Sequence, residues 1–183
     1  DVDLRWGTAV NILTGTNSSL VSIENVVGTA FNDFIDGTDG SNTLRGYDGI
    51  DRLDGRGGSD RLSGENGHDI LLGGSGNDTM DGGQGNDILV GGIGADMMAG
   101  NQGADIFAYV GFNDSGNGSL ADKIYGFEHL VDDINVLDLD ASALAGGNQA
   151  FRFIGSQAFN AAGQIRSVYD AARNETLVLF NND

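Results

Sequence analysis

Nine side chains with oxygen donors recur every nine residues: Asp33, Asn42, Asp51, Asp60, Asp69, Asp78, Asp87, Asp96 and Asp105. No basic residue recurs in the same register, so stacking these groups builds a row of like charges that repel. A hard divalent cation resolves the repulsion by taking carboxylate oxygens from successive turns and backbone carbonyls from the rest. Calcium suits such donors. Magnesium fits poorly because it keeps its waters and demands tight octahedral geometry. Zinc is disfavoured because the chain has no Cys and its two histidines, His68 and His129, do not recur with the period. The competing reading is a calcium-free solenoid in which Asp merely favours turns. One Gly-x-Asp would suit that reading, whereas nine in register favour the cation.

The elements that must position these groups repeat with them. Each nonapeptide opens with glycine (Gly28, Gly37, Gly46, Gly55, Gly64, Gly73, Gly82, Gly91 and Gly100). Each carries an apolar residue at its eighth place (Ile35, Leu44, Leu53, Leu62, Leu71, Met80, Leu89, Met98 and Phe107). In Gly82–Val90 the first six residues read as turn, because glycine permits positive φ and Asn-Asp favours turns. The last three read as a short strand, with Leu89 on one face and Ile88 and Val90 on the other. Two repeats then bring the chain back one strand spacing along, roughly 4.8 Å. The expected fold is all-β: a right-handed parallel β-roll of Gly/Asp-rich repeats with a C-terminal β-rich cap. Residues 1–27 are expected as a lead-in or capping segment, 28–108 as the roll and 109–183 as the cap. Asp51, Asp69, Asp87 and Asp105 fall on one ladder, and Asp60, Asp78 and Asp96 on the other.

Composition narrows the function. The chain has 183 residues and a net charge of −18, which excludes a nucleic-acid partner and docking on anionic lipid. Such self-repulsion with modest hydrophobicity lies near the border of intrinsic disorder, so something cationic is needed for folding. Without Cys there is neither a disulfide framework nor a thiolate metal site. No apolar run is long enough to span a membrane, and no secretory signal is read at Asp1.

The repeats resemble the RTX, or haemolysin-type, calcium-binding nonapeptides, Gly-Gly-x-Gly-x-Asp-x-(large apolar)-x. The resemblance spans residues 28–108. It implies calcium between turns i and i+2, held by the sixth-place side chain and by carbonyls of the first four places. On this chain it implies Asp33, Asn42, Asp51, Asp60, Asp69, Asp78, Asp87, Asp96 and Asp105 as ligands. The backbone of Gly73, Gly74, Gly76, Gly82, Gly83, Gly85, Gly91, Gly92 and Gly94 joins them. The nine repeats offer seven such gaps. The second glycine survives only as Gly74, Gly83 and Gly92, Phe31 replaces the fourth-place glycine of the first repeat, and Asn42 supplies a neutral oxygen. The first repeats are therefore expected to form weaker sites. Arg52, Arg56 and Arg61 crowd the third and fourth repeats, within reach of Asp36 or Asp54.

Further on, Asp122–Phe127, Asp132–Ile134, Asn148–Gly155 and Gly163–Arg166 resemble the C-terminal domain of serralysin-type metalloproteases. That resemblance implies a cap on the roll, an uncleaved signal for type I secretion, and Asp122 as a further ligand. Leu20–Asn25 resembles the lead-in of many RTX proteins. Asn135 stands where the family usually has Asp, and the family's final acidic–apolar tail is not evident after Phe180.

From Ile70 onward one outer face is apolar (Ile70/Leu72, Ile88/Val90, Ile106/Ala108), and a patch of that kind usually has a partner. The C-terminal segment is its expected cover, with a catalytic domain or neighbouring module as the alternative. Phe107, Tyr109, Ile124, Phe127, Ile134, Val136, Phe151, Phe153 and Phe159 are candidate core. Gln164–Asp170 and Glu175–Phe180 read as a hairpin, and residues 138–144 as a short helix. No catalytic motif is recognised, both histidines read as solvated, and Trp6 reads as packing the lead-in.

The functional expectation is a non-catalytic calcium-dependent domain of an extracellular bacterial protein, following a protease-like or surface domain and exported by type I machinery. The alternative is a calcium-dependent glycan-binding or surface-attachment module, marked by a basic or aromatic stripe on one sheet.

Overall fold

In the computed structural model, residues 23–111, 114, 122–128 and 130–135 are described in full, together with the backbone of short strands elsewhere. The strands, in chain order, are β1 (Val2–Asp3), β2 (Thr8–Asn11), β3 (Thr16–Ser19), β4 (Asn25–Val27), β5 (Phe34–Asp36) and β6 (Thr43–Asp48). They continue with β7 (Arg52–Asp54), β8 (Arg61–Asn66), β9 (Ile70–Ser75), β10 (Thr79–Gln84), β11 (Ile88–Ile93) and β12 (Met97–Gln102). The last are β13 (Ile106–Ala108), β14 (Lys123–Tyr125), β15 (Asp133–Asn135), β16 (Arg152–Phe153), β17 (Gln164–Asp170) and β18 (Glu175–Asn181).

Alternate strands build two sheets. One runs β15-β13-β11-β9-β7-β5-β1-β2-β3 and the other β16-β17-β18-β14-β12-β10-β8-β6-β4. Within the roll each strand pairs in parallel with the strand 18 residues on, as in Leu71↔Leu89 and Met80↔Met98. That register follows from the period: two nonapeptides per coil put every eighth-place residue over its counterpart. The fold is a parallel β-roll of about five turns. Between the sheets lie the eighth-place side chains, none more than 1 % exposed. Val26, Tyr109 and Ile124 extend this core, and Phe127 and Ile134 pack against it, with the Phe107 and Phe127 rings 6.1 Å apart.

The strands are longer than the expected three residues. In the central coils they run six residues, from the seventh place through the third place of the next repeat. The chain turns a corner within each of them, at the second place, where φ is positive. Gly74, Gly83 and Gly92 adopt this conformation freely, but so do Tyr47 (φ 85°), Arg56 (72°), Glu65 (77°) and Asn101 (70°). Each of those four has a side-chain contact that offsets the cost. Arg45 lies over the Tyr47 ring, Arg56 reaches Asp36 at 3.2 Å, Glu65 meets Arg45 at 3.1 Å, and Asn101 donates to Asp81 at 2.6 Å. The expected arginine pairing is present, with Arg52 joining both Asp36 (3.0 Å) and Asp54 (2.9 Å).

The roll does not end with the glycine repeats. β14 pairs in parallel with β12 and β15 with β13, so Asp122-Lys-Ile and Asp132-Asp-Ile each supply one more half-turn without the glycine pattern. The hairpin of β17 and β18 forms at the expected residues, with Asp170 opposite Glu175. It joins the roll through β18 and β14, as an extension of the second sheet. Ile70, Leu72, Ile88 and Val90 on the first sheet are half-buried. The expected helix at 138–144, Val136, Phe159, His129, Trp6 and the side chains of Phe151 and Phe153 lie outside the described residues.

Candidate metal centres

Sixth-place residues form two hydrogen-bonded ladders along the edges of the roll. The backbone N–H of Asp51 donates to Oδ1 of Asp69, that of Asp69 to Asp87, and that of Asp87 to Asp105, at 2.8–2.9 Å. On the other edge the bonds run from Asp60 to Asp78, Asp78 to Asp96 and Asp96 to Asp122, at 2.8–2.9 Å. Asp33 and Asn42 start the ladders as donors to Asp51 and Asp60, each at 2.7 Å. Asp132 ends the first ladder by accepting from Asp105 at 3.1 Å. Asp132 was not among the ligands expected from sequence, although its Asp-x-Ile signature matches the sixth-to-eighth places of a repeat.

One carboxylate oxygen is therefore committed on each rung, and the other decides the chemistry. In Asp51, Asp60, Asp69, Asp78, Asp87, Asp96 and Asp105, Oδ2 is buried and has no hydrogen-bond partner. These seven residues are at most 3 % exposed. The terminal turns behave differently. Asp33 Oδ2 accepts from the N–H (2.6 Å) and hydroxyl (2.9 Å) of Thr29, and Asn42 Oδ1 from the N–H of Thr38 (2.7 Å). At the far end Asp114 Oδ2 accepts from the N–H groups of Val110 and Gly111, and Asp132 Oδ2 from that of Glu128. The turns of Asp33, Asn42, Asp114 and Asp132 close on themselves, Asp122 lies beside the buried Tyr109, and the interior turns keep an unsatisfied anionic oxygen. A buried, unsatisfied carboxylate is costly unless a proton or a cation reaches it.

The glycines shape the space around that oxygen. A β-carbon at Gly73 would lie 2.5 Å from Asp78 Oδ2 and 2.5 Å from the carbonyl oxygen of Gly91. First-place glycines Gly82 and Gly91 face Asp87 and Asp96 in the same way. Gly74, Gly83 and Gly92 at the second place stack on the carbonyls of Arg56, Glu65 and Gly74 in the preceding coil. Gly76, Gly85 and Gly94 at the fourth place stack on the carbonyls of Gly58, Gly67 and Gly76. Carbonyl columns thus flank each row of carboxylates. Among the described residues no three acidic or histidine side chains converge on one point. A cation at these turns has to draw most of its ligands from backbone oxygen, as calcium does and zinc does not.

Burial is the first cause of the carboxyl shifts. It raises Asp60, Asp69 and Asp87 to about 6, Asp96 to about 7 and Asp122 to about 8, against the ladder hydrogen bonds that lower them. Asp51, Asp78 and Asp105 are raised for the same reason. A family model for the RTX calcium-binding nonapeptide repeat matches four times, over residues 23–53, 36–71, 45–80 and 72–107. Residues 23–107 are RTX repeats. No curated protein matches the chain.

The RTX block also carries a second ladder that sequence reasoning missed. Fifth-place side chains accept backbone N–H groups from the coil after: Asn32 from Ile50, Ser59 from Asn77, His68 Nδ1 from Asn86, Asn77 from Ala95 and Asn86 from Ala104, at 2.7–3.3 Å. The recurrence of Asn, Ser and His at that place is its signal. His68, expected to be solvated, is exposed and yet bonded.

Proposed function

We propose that this chain is a non-catalytic module that folds when calcium occupies its interior turns after export. The single observation that carries the reading is the row of seven buried Oδ2 atoms at the sixth places of the repeats, in turns whose own backbone does not close on them, with the buried Asp122 Oδ2 following in line. Asp51 through Asp105 at the sixth places supply the charged ligands, and carbonyls of the first four places, including those of Gly73–Gly76, Gly82–Gly85 and Gly91–Gly94, supply the rest. The ion supplies the positive charge that lets these carboxylates stay ionised while buried. Asp33 and Asn42 head the ladders, and Asp122 and Asp132 end them. Residues 1–27 serve as the lead-in, 28–108 as the calcium roll and 109–183 as the cap.

The magnitudes allow calcium to act as the switch. Extracellular modules bind calcium with dissociation constants of about 10⁻⁴–10⁻³ M. At roughly tenfold excess each site adds about 1.4 kcal/mol, so seven contribute on the order of 10 kcal/mol. A whole domain is stable by roughly 5–15 kcal/mol. In a calcium-poor cytoplasm the acidic roll stays unfolded and fit for export, and in a calcium-rich exterior it folds. We assign the chain to a secreted bacterial protein, following a serralysin-like catalytic domain and using a type I exporter. Far-UV circular dichroism tests the switch: the reading expects loss of the β spectrum in chelator and its return in millimolar calcium. An identical β spectrum in both contradicts it.

A further inference from the structure

The outer face of the second sheet holds a groove of about 750 Å³ that crosses β6, β8, β10, β12 and β14. Four strand intervals give it a length of about 19 Å. The corner at each second place folds the third-place residues up into one wall, so Asn66, Gln84 and Gln102 stand in register along it. The seventh-place residues Thr43, Arg61, Thr79 and Met97 form the facing row. On the first sheet the corresponding places hold Ser75 and Ile93 in one row and Ile70 and Ile88 in the other. At these places of the described coils the second sheet is the more polar.

Its polar groups divide into two sets. Arg45 is paired with Glu65, Asn101 with Asp81 (2.6 Å) and Asn66 with Asp48 (2.7 Å), which fixes the walls. Among the described residues, the side chains of Thr43, Thr79, Gln84 and Gln102 make no hydrogen bond, and Arg61 makes no direct ion pair, although its charge acts on Asp81. Charges within the groove balance, Arg45 and Arg61 against Glu65 and Asp81, although the chain carries −18. A nucleic acid is excluded by that net charge. A protein partner would need several aromatic or aliphatic anchors at the centre; the groove places the exposed Met97 beside Tyr125 near one end and lines the rest with hydroxyls, amides and charged groups. Strand addition by a peptide needs an open edge, and β8, β10 and β12 are paired on both sides.

We propose that this groove binds a linear, uncharged oligosaccharide, whose hydroxyls replace water on Thr79, Gln84, Gln102 and Arg61 and whose ring face stacks at Tyr125. The site requires the folded roll but no particular number of bound ions. The test takes the full chain in millimolar calcium to an array of linear glucan, xylan, mannan and uronate oligosaccharides, followed by calorimetry with the tightest binder. Capture of neutral chains is expected, with affinity reduced about tenfold in Arg61→Ala and in Gln84→Ala/Gln102→Ala. Ile93→Ser, at the matching place of the first sheet, is expected to bind as the parent does. No capture by a chain with a β spectrum in the same buffer overturns the proposal, as do capture of uronates alone or variants that bind unchanged. Because the spectrum is recorded with and without calcium, failure of the calcium switch is read separately from failure of glycan binding.

Discussion

The backbone N–H of Asp69 donates to Oδ1 of Asp87, 18 residues on, at 2.8 Å, and Asp87 Oδ2 is left buried without a partner. The same Asp69 accepts the N–H of Ile88 through its carbonyl oxygen at 2.8 Å. One residue thus ties the turn to the next coil twice and presents an anionic oxygen beside it. Structure and metal chemistry share a side chain, so substitutions at this place separate the two.

Asp87→Asn keeps an acceptor for Asp69 and removes the charge. The account expects opposite signs: the calcium-free roll becomes more stable, because an unpaired buried charge is gone, while the gain in melting temperature on adding calcium shrinks. Melts of both proteins in limiting and in saturating calcium check this. A parallel loss of stability in both conditions would show a packing role only.

Glycine at the first place is needed for space rather than for conformation. Gly73→Ala drives a β-carbon into Asp78 Oδ2 and the Gly91 carbonyl, whereas Gly40→Ala meets nothing closer than Thr38 Oγ1 at 3.7 Å. A loss of about 2–4 kcal/mol is expected for Gly73→Ala in calcium, by analogy with other overpacked sites, and less than about 1 kcal/mol for Gly40→Ala. Urea titrations with calcium present give both values.

Acid stands in for calcium. Burial raises the carboxyls of Asp60, Asp69 and Asp87 from 3.8 to about 6 and that of Asp96 to about 7. With folded values above unfolded ones, the folded chain binds more protons between about pH 4 and 7. Stability is then fully present below 3.8 and lost as pH rises through 6 to 7. In chelator the β spectrum that is lost at pH 8 is expected to return in part at pH 4.5, and Asp87→Asn narrows the difference. More β signal at pH 8 than at pH 4.5 would run against the sign.

His68 Nδ1 accepts the N–H of Asn86 at 2.7 Å, where Asn32, Asn77 and Asn86 serve other coils. His68→Asn is expected to be neutral and His68→Leu to cost about 1 kcal/mol, measured by chemical denaturation. Equal effects would mean that the fifth place contributes no acceptor.

Much of this was legible because the period of nine acts on every level at once. It set the coil, the register Leu71↔Leu89, the buried row and the two edges on which carboxylates stack. The ends of the ladders lack the period: Asp122 and Asp132 follow their donors by 26 and 27 residues rather than 18, so Asp122 was reached only through the resemblance and Asp132 not at all. The strand corner was read as turn because glycine was taken as its requirement, whereas Tyr47 and Glu65 turn it with help from Arg45. The different fate of Asp33 and Asp87 was invisible in their shared place. It depends on Thr29, whose N–H and hydroxyl close the first turn.

That difference is also where the account is most exposed. Native mass spectrometry in calcium counts the ions held by the parent chain, by Asp33→Asn and by Asp87→Asn. The account predicts a limit of seven ions for the parent, one for each unsatisfied Oδ2 at a sixth place of the repeats, with Asp122 engaged by Tyr109 instead. It predicts the same limit for Asp33→Asn and at least one fewer for Asp87→Asn. An ion lost with Asp33 and none lost with Asp87 would contradict it.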